Sequence, residues 1–291
     1  MEHINWYPGH MKKTRELIQE NLKLVDVCVE VLDARIPVSS RNPILAELTQ
    51  SKTRIIVLNK SDLADEAKTA EWTKKLQESA SYVLAMNCNT GAGAASLLRL
   101  LEKIRDEKNE GRERQRDLRL MIVGIPNVGK SSLINRLTGK KAAKTGNKPG
   151  VTRGKQWIRL NKNLELLDTP GILWPKFEDR QVGVNLALTG AIRQELLEEQ
   201  ELSLELLDFL QREYPALLKA KYAPADAGQE WELPMENAEL LRKIAISRNL
   251  LKAGSEPDYQ RASKMVLDDF RNGKTGRISL ETPPEGGEDS E

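Results

Sequence analysis

The chain has 291 residues, of which 39% are hydrophobic, so it is long enough for two domains of ordinary size. Its 45 lysine and arginine residues nearly balance its 43 aspartate and glutamate residues, and any affinity for nucleic acid must therefore come from a local patch. Only two cysteines occur, which excludes a four-cysteine zinc module, and no apolar run approaches the ~18 residues that span a bilayer. We expect a cytoplasmic protein with reduced thiols and no membrane contact.

Strands and helices are predicted to alternate in the first part of the chain. The predicted helices carry apolar residues at helical spacing, and they cover residues 11–23, 65–78, 91–108 and 130–137. The predicted strands are short apolar runs, and they cover residues 25–32, 54–58, 82–86, 118–123, 158–160 and 164–167. This alternation predicts an α/β fold with a doubly wound sheet.

Later in the chain the pattern changes. Beyond about residue 180, leucine recurs at helical spacing without strands of comparable strength, which predicts a small all-helical domain whose last helix covers residues 257–271. The charged stretch 105–119 has the composition of a solvated helix end and linker. We therefore expect an α/β domain at 1–178, a helical domain at 179–280, and a disordered acidic tail at 281–291.

The strongest motif is Gly-Ile-Pro-Asn-Val-Gly-Lys-Ser at residues 124–131, between a predicted strand and a predicted helix. In such a loop Gly129 lets backbone N–H groups converge on the β-phosphate, and Lys130 brings a positive charge to the β and γ oxygens, where it also assists phosphoryl transfer. Ser131 offers a hydroxyl to magnesium. The predicted phosphate-binding residues are Asn127, Val128, Gly129, Lys130, Ser131 and Ser132.

A base-reading motif, Asn-Lys-Ser-Asp, stands earlier, at residues 59–62. Asp62 can accept hydrogen bonds from guanine N1–H and the 2-amino group, a pair that adenine does not offer. Asn59 would serve the other edge, and Lys60 can lay its aliphatic stem over the ring. The motif is short, and its alternative interpretation is a turn at the end of a strand.

Two further features concern the base. The loop that begins with Asn87 and Cys88 follows the next strand and is predicted to bring a backbone N–H to the guanine oxygen, although it lacks the usual Ser-Ala-Lys sequence. In an ordinary GTPase the phosphate loop precedes the base motif, whereas here it follows by some seventy residues. The reversed order predicts a circularly permuted P-loop GTPase domain.

The metal side of the site is predicted from Asp-Thr-Pro-Gly at residues 168–171. Asp168 would hold magnesium through water, and the Gly171 N–H would contact the γ-phosphate. Thr152 is the candidate for a switch hydroxyl that completes the magnesium shell, with an ordinary loop threonine as the alternative. Ile172 stands where many GTPases carry a water-orienting glutamine, so another group must orient the water.

Two further segments flank these motifs, Trp-Tyr-Pro-Gly-His-Met at residues 6–11 and Ile-Leu-Trp-Pro at residues 172–175. In this order, the motifs and their flanking segments resemble those of the ribosome biogenesis GTPase A family of permuted bacterial GTPases. The resemblance extends to about residue 277. It implies that GTP and GDP are bound with magnesium, with the guanine role carried by Asn59, Lys60 and Asp62, the phosphate role by Gly129 and Lys130, and the magnesium role by Ser131 and Thr152.

The resemblance also suggests two less common roles. His10 could take the water-orienting catalytic role that Ile172 cannot perform, and its alternative is a surface or helix-capping histidine. Asn127 is similar to the asparagine that helps to hold a potassium ion in potassium-stimulated relatives, and its alternative is a polar loop residue.

The family resemblance implies a partner, the large ribosomal subunit and its rRNA, in an assembly step that is late; the helical pattern alone would equally allow ribosomal or other proteins. A run of six basic residues without an acidic one surrounds Thr152 and favours RNA contact: Lys140, Lys141, Lys144, Lys148, Arg153 and Lys155. The alternative function is a GTP-switched binding module for a protein partner with little turnover.

Overall fold

A computed structural model of the chain describes residues 15–16, 18–49, 51–139, 156–161, 163–168, 179–192, 198–224 and 231–284. The chain divides into two compact units, one of Met1–Glu178 with Glu281–Glu291 and the other of Asp179–Leu280. The predicted residues His10, Thr152 and Gly171, together with the basic run at 140–155, lie outside the described residues.

A six-stranded sheet forms the centre of the first unit, with the strand order β3-β2-β1-β4-β6-β5. The strands are β1 Val27–Asp33, β2 Thr53–Asn59, β3 Tyr82–Ala85, β4 Leu118–Val123, β5 Gln156–Asn161 and β6 Leu164–Asp168. All neighbouring pairs are parallel except β5 and β6, which form the predicted antiparallel hairpin. β1 is buried at every residue because it lies in the middle of the sheet, and its apolar run reflects this position.

Four helices of this unit lie entirely within the described residues, and residues 15–16 and 18–22 are helical as well. The four are α1 Pro43–Leu48, α2 Glu66–Leu76, α3 Ala94–Asn109 and α4 Lys130–Thr138. The side chain of Asp65 accepts a hydrogen bond from the backbone N–H of Lys68 and so caps the start of α2. Trp72 and Leu76 of α2 pack into a buried cluster with Leu32, Ile56 and other strand residues. Helix α1 was not predicted, because it is only six residues long and lacks a clear apolar period.

The two halves of the sheet are joined by residues 110–117, between α3 and β4. The side chain of Asn109 closes this connection, since its amide nitrogen donates to the carbonyl of Arg116 and its amide oxygen accepts from the Arg116 N–H. β4 then enters the sheet directly beside β1. The α/β fold, its permuted motif order and the helical region that follows are thus as predicted.

The second unit is helical in its described residues, with α5 Arg180–Leu188, α6 Glu199–Glu213, α7 Pro215–Tyr222, α8 Asn237–Ser247 and α9 Tyr259–Arg271. Its core is rich in leucine, and Leu206, Leu240 and Val266 are fully buried. Helices α6 and α9 are also joined by a 2.8 Å hydrogen bond between the buried hydroxyls of Ser203 and Ser263. No helix among the described residues is long and apolar enough to cross a membrane.

The predicted disordered tail needs a correction at its first residues. Residues 281–284 are described, and Glu281 contacts the first unit through Val38, Ser39 and Trp72. Glu281 is therefore an anchored residue and not part of a solvated tail. Composition could not reveal this, because the partners of Glu281 lie more than two hundred residues earlier.

Candidate functional site

The phosphate loop lies at the carboxyl end of β4, where open α/β sheets bind their ligands. Two of its glycines are required by the space and backbone around them. Gly124 has φ +148°, and a Cβ there would come within 2.5 Å of the carbonyl oxygen of Val31. Gly129 has φ +105°, and its Cβ would lie 2.1 Å from Nδ2 of Asn59. A side chain at either position would therefore force β1 or Asn59 away from the loop.

Asn59 connects the base motif to two other loops. Its Nδ2 donates to the carbonyl of Val128 over 2.6 Å, and its Oδ1 accepts from the N–H of Cys88 over 2.9 Å. The Asn59 side chain is only 4% exposed, so both of its polar ends are satisfied inside the protein. The predicted role at a base edge is thus accompanied by a structural one, which the sequence analysis missed.

Lys60 and Asp62 occupy different surroundings. Lys60 has an unusual left-handed backbone with φ +58°, and its Nζ lies 2.9 Å from Oδ2 of Asp33. Asp62 is exposed in the turn that follows β2, so its carboxylate is accessible to solvent. The intervening Ser61 donates from both its N–H and its hydroxyl to the carbonyl of Met86, which fixes the turn against the end of β3.

Asp33 and Arg35 form a buried ion pair beside Lys60. The register of β1 and β2 sets Asp33 opposite Asn59, and the Arg35 guanidinium reaches both Asp33 oxygens, at 3.0 and 2.8 Å. Burial alone would raise the pKa of Asp33, but the charges of Arg35 and Lys60 outweigh it and hold that pKa well below its ordinary range. Asp33 is therefore a permanent carboxylate under the base motif.

The loop that starts at Asn87 is built from its own hydrogen bonds. The Asn87 Oδ1 accepts from the N–H groups of Asn89 and Thr90, and the Asn87 carbonyl accepts from Gly91. Since the N–H of Cys88 goes to Asn59, the N–H groups of Cys88, Asn89, Thr90 and Gly91 are all donated within the protein. A contact between this loop and a guanine oxygen would therefore have to share or replace one of these hydrogen bonds.

Helix α4 holds the same loop from the other side. Arg136 donates from Nε to the carbonyl of Cys88 at 3.5 Å and from its guanidinium to the carbonyl of Asn89. A Cβ on Gly91 would come within 3.0 Å of the Arg136 side chain, so the two are in close contact. The helix that begins at the phosphate loop thus also fixes the loop beside the base motif. Arg136 lies outside the motifs from which the site was predicted.

Lys130 begins α4 and turns its side chain back over the loop. Its Nζ donates to the carbonyl of Ile125 over 2.6 Å. Burial lowers the pKa of Lys130 to about 8, because removal from water disfavours the charged ammonium. The structure therefore places an ammonium group at the centre of the phosphate loop, ready for an anionic ligand.

The other predicted residues of this loop are also close to α4. Ser131 and Ser132 lie half-buried in its first turn, Val128 is fully buried, and Asn127 is exposed with φ +60°. Asp168 is the last residue of β6, which runs beside β4. The described residues contain no group of three acidic, histidine or cysteine side chains that could form a protein-only metal site. Magnesium is commonly bound instead by one or two protein oxygens together with substrate phosphates, and the Ser131 hydroxyl could supply one such oxygen.

The two cysteines are buried and free. Burial raises the pKa of the Cys28 thiol, and it raises the pKa of Cys88 to about 12. Both thiols are therefore protonated and unreactive at neutral pH. Cys88 contributes its backbone to the site, with its N–H on Asn59 and its carbonyl on Arg136.

Comparison with known proteins agrees with this geometry. The sequence profile of the family described as "50S ribosome-binding GTPase" matches residues 119–226, a range that starts at the strand before the phosphate loop and leaves out the earlier base motif. "Ribosome biogenesis GTPase A" of Bacillus cereus is 44% identical over 99% of this chain and 97% of its own length. "Mitochondrial ribosome-associated GTPase 1" of Mus musculus is 37% identical over 95% of this chain and 89% of its own length.

A solved structure shows the same relationship. The GNP-bound YlqF from T. maritima has a TM-score of 0.65 and 30% sequence identity, and the match covers 94% of this chain and 99% of that chain. The matches to these relatives cover nearly the full length of this chain. The chain therefore belongs to the ribosome biogenesis GTPase A family and is a GTPase that binds GTP and GDP.

Proposed function

We propose that this GTPase is an assembly factor that binds the immature large ribosomal subunit in the cytoplasm and promotes a late maturation step. The observation that supports it best is the Asn59 side chain, which bridges the base motif and the phosphate loop in a chain whose relatives are named for ribosome biogenesis. A site so connected can couple nucleotide state to the surrounding loops.

In this proposal the guanine base lies between the 59–62 turn and the loop that starts at Asn87. The exposed carboxylate of Asp62 accepts hydrogen bonds from guanine N1–H and the 2-amino group. The aliphatic stem of Lys60 covers one face of the ring while its ammonium stays on Asp33. The Asn87 and Cys88 segment lies at the edge that carries the guanine oxygen.

The phosphates lie over Gly129 and against the first turn of α4. Lys130 leaves the carbonyl of Ile125 for the β and γ oxygens, and backbone N–H groups of the loop complete the cradle. Ser131, with Thr152 and a water held by Asp168, would hold magnesium, which neutralises charge on the phosphates when bound. Asn127 would hold a potassium ion beside the loop.

The water-orienting role is assigned to His10 on family grounds, because Ile172 has no polar group. In this proposal the His10→Ala variant binds GTP normally but hydrolyses it about 10²-fold or more slowly on the ribosomal subunit. A subunit-stimulated rate equal to that of the unmodified protein would leave His10 without this role.

We assign the helical unit, residues 179–280, to RNA contact. Four exposed basic residues support this assignment. Two lie between α8 and α9 and two lie in α9: Arg248, Lys252, Arg261 and Lys264. Such groups bind a phosphate backbone, and the basic run around Thr152 would add to them in the GTP state. Ribosomal proteins are the alternative partners of this unit.

Co-sedimentation with ribosomal particles tests the proposal. The chain should sediment with immature large subunits in the presence of a non-hydrolysable GTP analogue, and it should leave them with GDP. The Lys130→Ala variant is the control, since it should fold but lose the nucleotide dependence. Equal recovery in the supernatant in every nucleotide state would contradict the proposed partner.

A further inference from the structure

Glu281 caps the turn that follows β1, the strand whose last residue, Asp33, pairs with Asn59 of the base motif. Its carboxylate accepts from the N–H of Val38 at 2.6 Å and from the N–H of Ser39 at 2.9 Å, and it also accepts from the Ser39 hydroxyl. Its own carbonyl accepts from Nε1 of the buried Trp72 over 3.2 Å. Hydrogen bonds to a charged group are stronger than neutral ones, so these contacts fix the turn firmly.

The capped turn, residues 36–40, is closed by Ser40. The N–H and the hydroxyl of Ser40 both donate to the carbonyl of Ile36, and the same hydroxyl accepts from the N–H of Asp33 over 3.1 Å. Ser39 and Ser40 are almost fully buried. The turn is therefore linked by a hydrogen bond to the backbone of Asp33, the last residue of β1.

Asp33 in turn holds the ammonium of Lys60, with Arg35 as its second partner. Asp33 and Arg35 are each 1% exposed, so this ion pair has little room to rearrange. A shift of the Asp33 backbone would therefore move the Lys60 side chain, whose stem is the proposed cover of the base.

We propose that Glu281 is a positioning residue of the guanine site, acting through the 36–40 turn and Asp33 on Lys60; this inference rests on the proposed role of Lys60 at the base. Glu281 directly follows Leu280, the last residue of the helical unit, so the chain contributes to the base site at the point where it re-enters the first unit. The isosteric Glu281→Gln variant keeps one acceptor oxygen but loses the charge and places an amide nitrogen against a donor.

The test is a double-mutant cycle in the full chain, with GDP affinity measured by titration calorimetry for the unmodified protein, Glu281→Gln, Lys60→Ala and the double variant. We expect Glu281→Gln to weaken GDP about fivefold and to have no further effect when Lys60 is already alanine. Binding of inorganic pyrophosphate, which has no base, should not change. Glu107→Gln, on the exposed surface of α3, is the matched control for the loss of one negative charge and should bind GDP as the unmodified protein does.

Three results would overturn the inference. GDP affinity could be unchanged in Glu281→Gln, or it could fall equally in both Lys60 backgrounds, and either outcome leaves the proposed base site intact. If Lys60→Ala itself binds GDP normally, the proposed base role fails together with the inference. Should Glu281→Gln not fold, Ser39→Ala replaces it in the same cycle, with an expected loss of about threefold, because it removes only one of the donors.

Discussion

The amide nitrogen of Asn59 donates to the carbonyl oxygen of Val128 over 2.6 Å, across 69 residues of sequence. This hydrogen bond joins the base motif to the phosphate loop, although the two motifs occur in the reverse of the usual order. Because β2 and β4 flank β1 on its two sides in the sheet, their ends come close enough for one short side chain to bridge them. The two motifs therefore meet in the fold despite their reversed order in the sequence.

The first prediction concerns this bridge. Asn59→Ala leaves the carbonyl of Val128 and the N–H of Cys88 without their partner, at a cost of about 1–3 kcal/mol each. GDP affinity should fall at least tenfold, and the melting temperature should drop. Calorimetric titration and thermal unfolding measure the two effects. Asn89→Ala, in the exposed part of the neighbouring loop, should show neither, and an equal loss in both variants would contradict the bridging role.

A second prediction compares two glycines with left-handed backbones. A Cβ at Gly129 would lie 2.1 Å from Nδ2 of Asn59, whereas a Cβ at Gly139, where φ is +65°, would meet nothing within 4 Å. Both alanine variants carry a backbone strain of about 1–2 kcal/mol, but only Gly129→Ala also disturbs the site. We expect Gly129→Ala to lose GDP binding by about 100-fold or more, while Gly139→Ala binds normally and unfolds at a lower temperature. Similar GDP affinities in Gly129→Ala and Gly139→Ala would contradict a disruptive clash between the new Cβ and Asn59.

The third prediction is a pH dependence. Because burial lowers the pKa of Lys130 to about 8, the free protein must take up a proton to present a charged lysine above that pH. GDP affinity should therefore be nearly constant up to about pH 7 and should fall about tenfold by about pH 9. Titrations across this range test it. Lys130→Met should bind weakly and without the inflection near pH 8, and an inflection that persists in this variant would assign it to another group.

Arg136 is the subject of the fourth prediction. Its guanidinium holds the carbonyls of Cys88 and Asn89, so Arg136→Ala should loosen that loop and accelerate GDP release about tenfold, the loss expected for a single hydrogen bond to a charged group. Stopped-flow displacement of a fluorescent GDP measures the rate. Arg99→Ala, on the exposed face of α3, is the control for loss of a surface charge. If Arg136→Ala and Arg99→Ala release GDP at the same rate, Arg136 does not hold the loop in place.

The strands of the sheet could be predicted from the sequence because their burial produces unmistakable apolar runs. β1, β2 and β4 begin within two residues of the predicted positions. The loops after β2 and β4 carry the base motif and the phosphate motif, which could be recognised because nucleotide binding requires particular residue types at fixed spacing. The short helix α1 carries no such pattern. Its six residues are too few to establish a period.

Contacts between distant residues could not be predicted in this way. The ion pair of Asp33 and Lys60 joins residues 27 positions apart, and neither residue type indicates its partner. Glu281 begins a segment whose acidic composition is typical of a solvated tail, yet its partners are backbone N–H groups of Val38 and Ser39, which no composition reveals. The bridging role of Asn59 was likewise hidden, because its motif suggested only a contact with the base.

The base specificity of Asp62→Asn tests the central claim most directly. An asparagine at this exposed position replaces one carboxylate oxygen with an amide donor, which opposes the guanine N1–H and 2-amino donors but suits the 2-oxo group of xanthine. Calorimetric titration of the variant with GDP and with xanthosine diphosphate should show GDP affinity reduced at least about 100-fold, as for a site whose hydrogen-bonding pattern no longer matches its ligand. The same variant should gain affinity for xanthosine diphosphate. Undiminished GDP affinity with no gain for the xanthine nucleotide would contradict the assignment of residues 59–62 as the guanine-binding motif of this permuted GTPase.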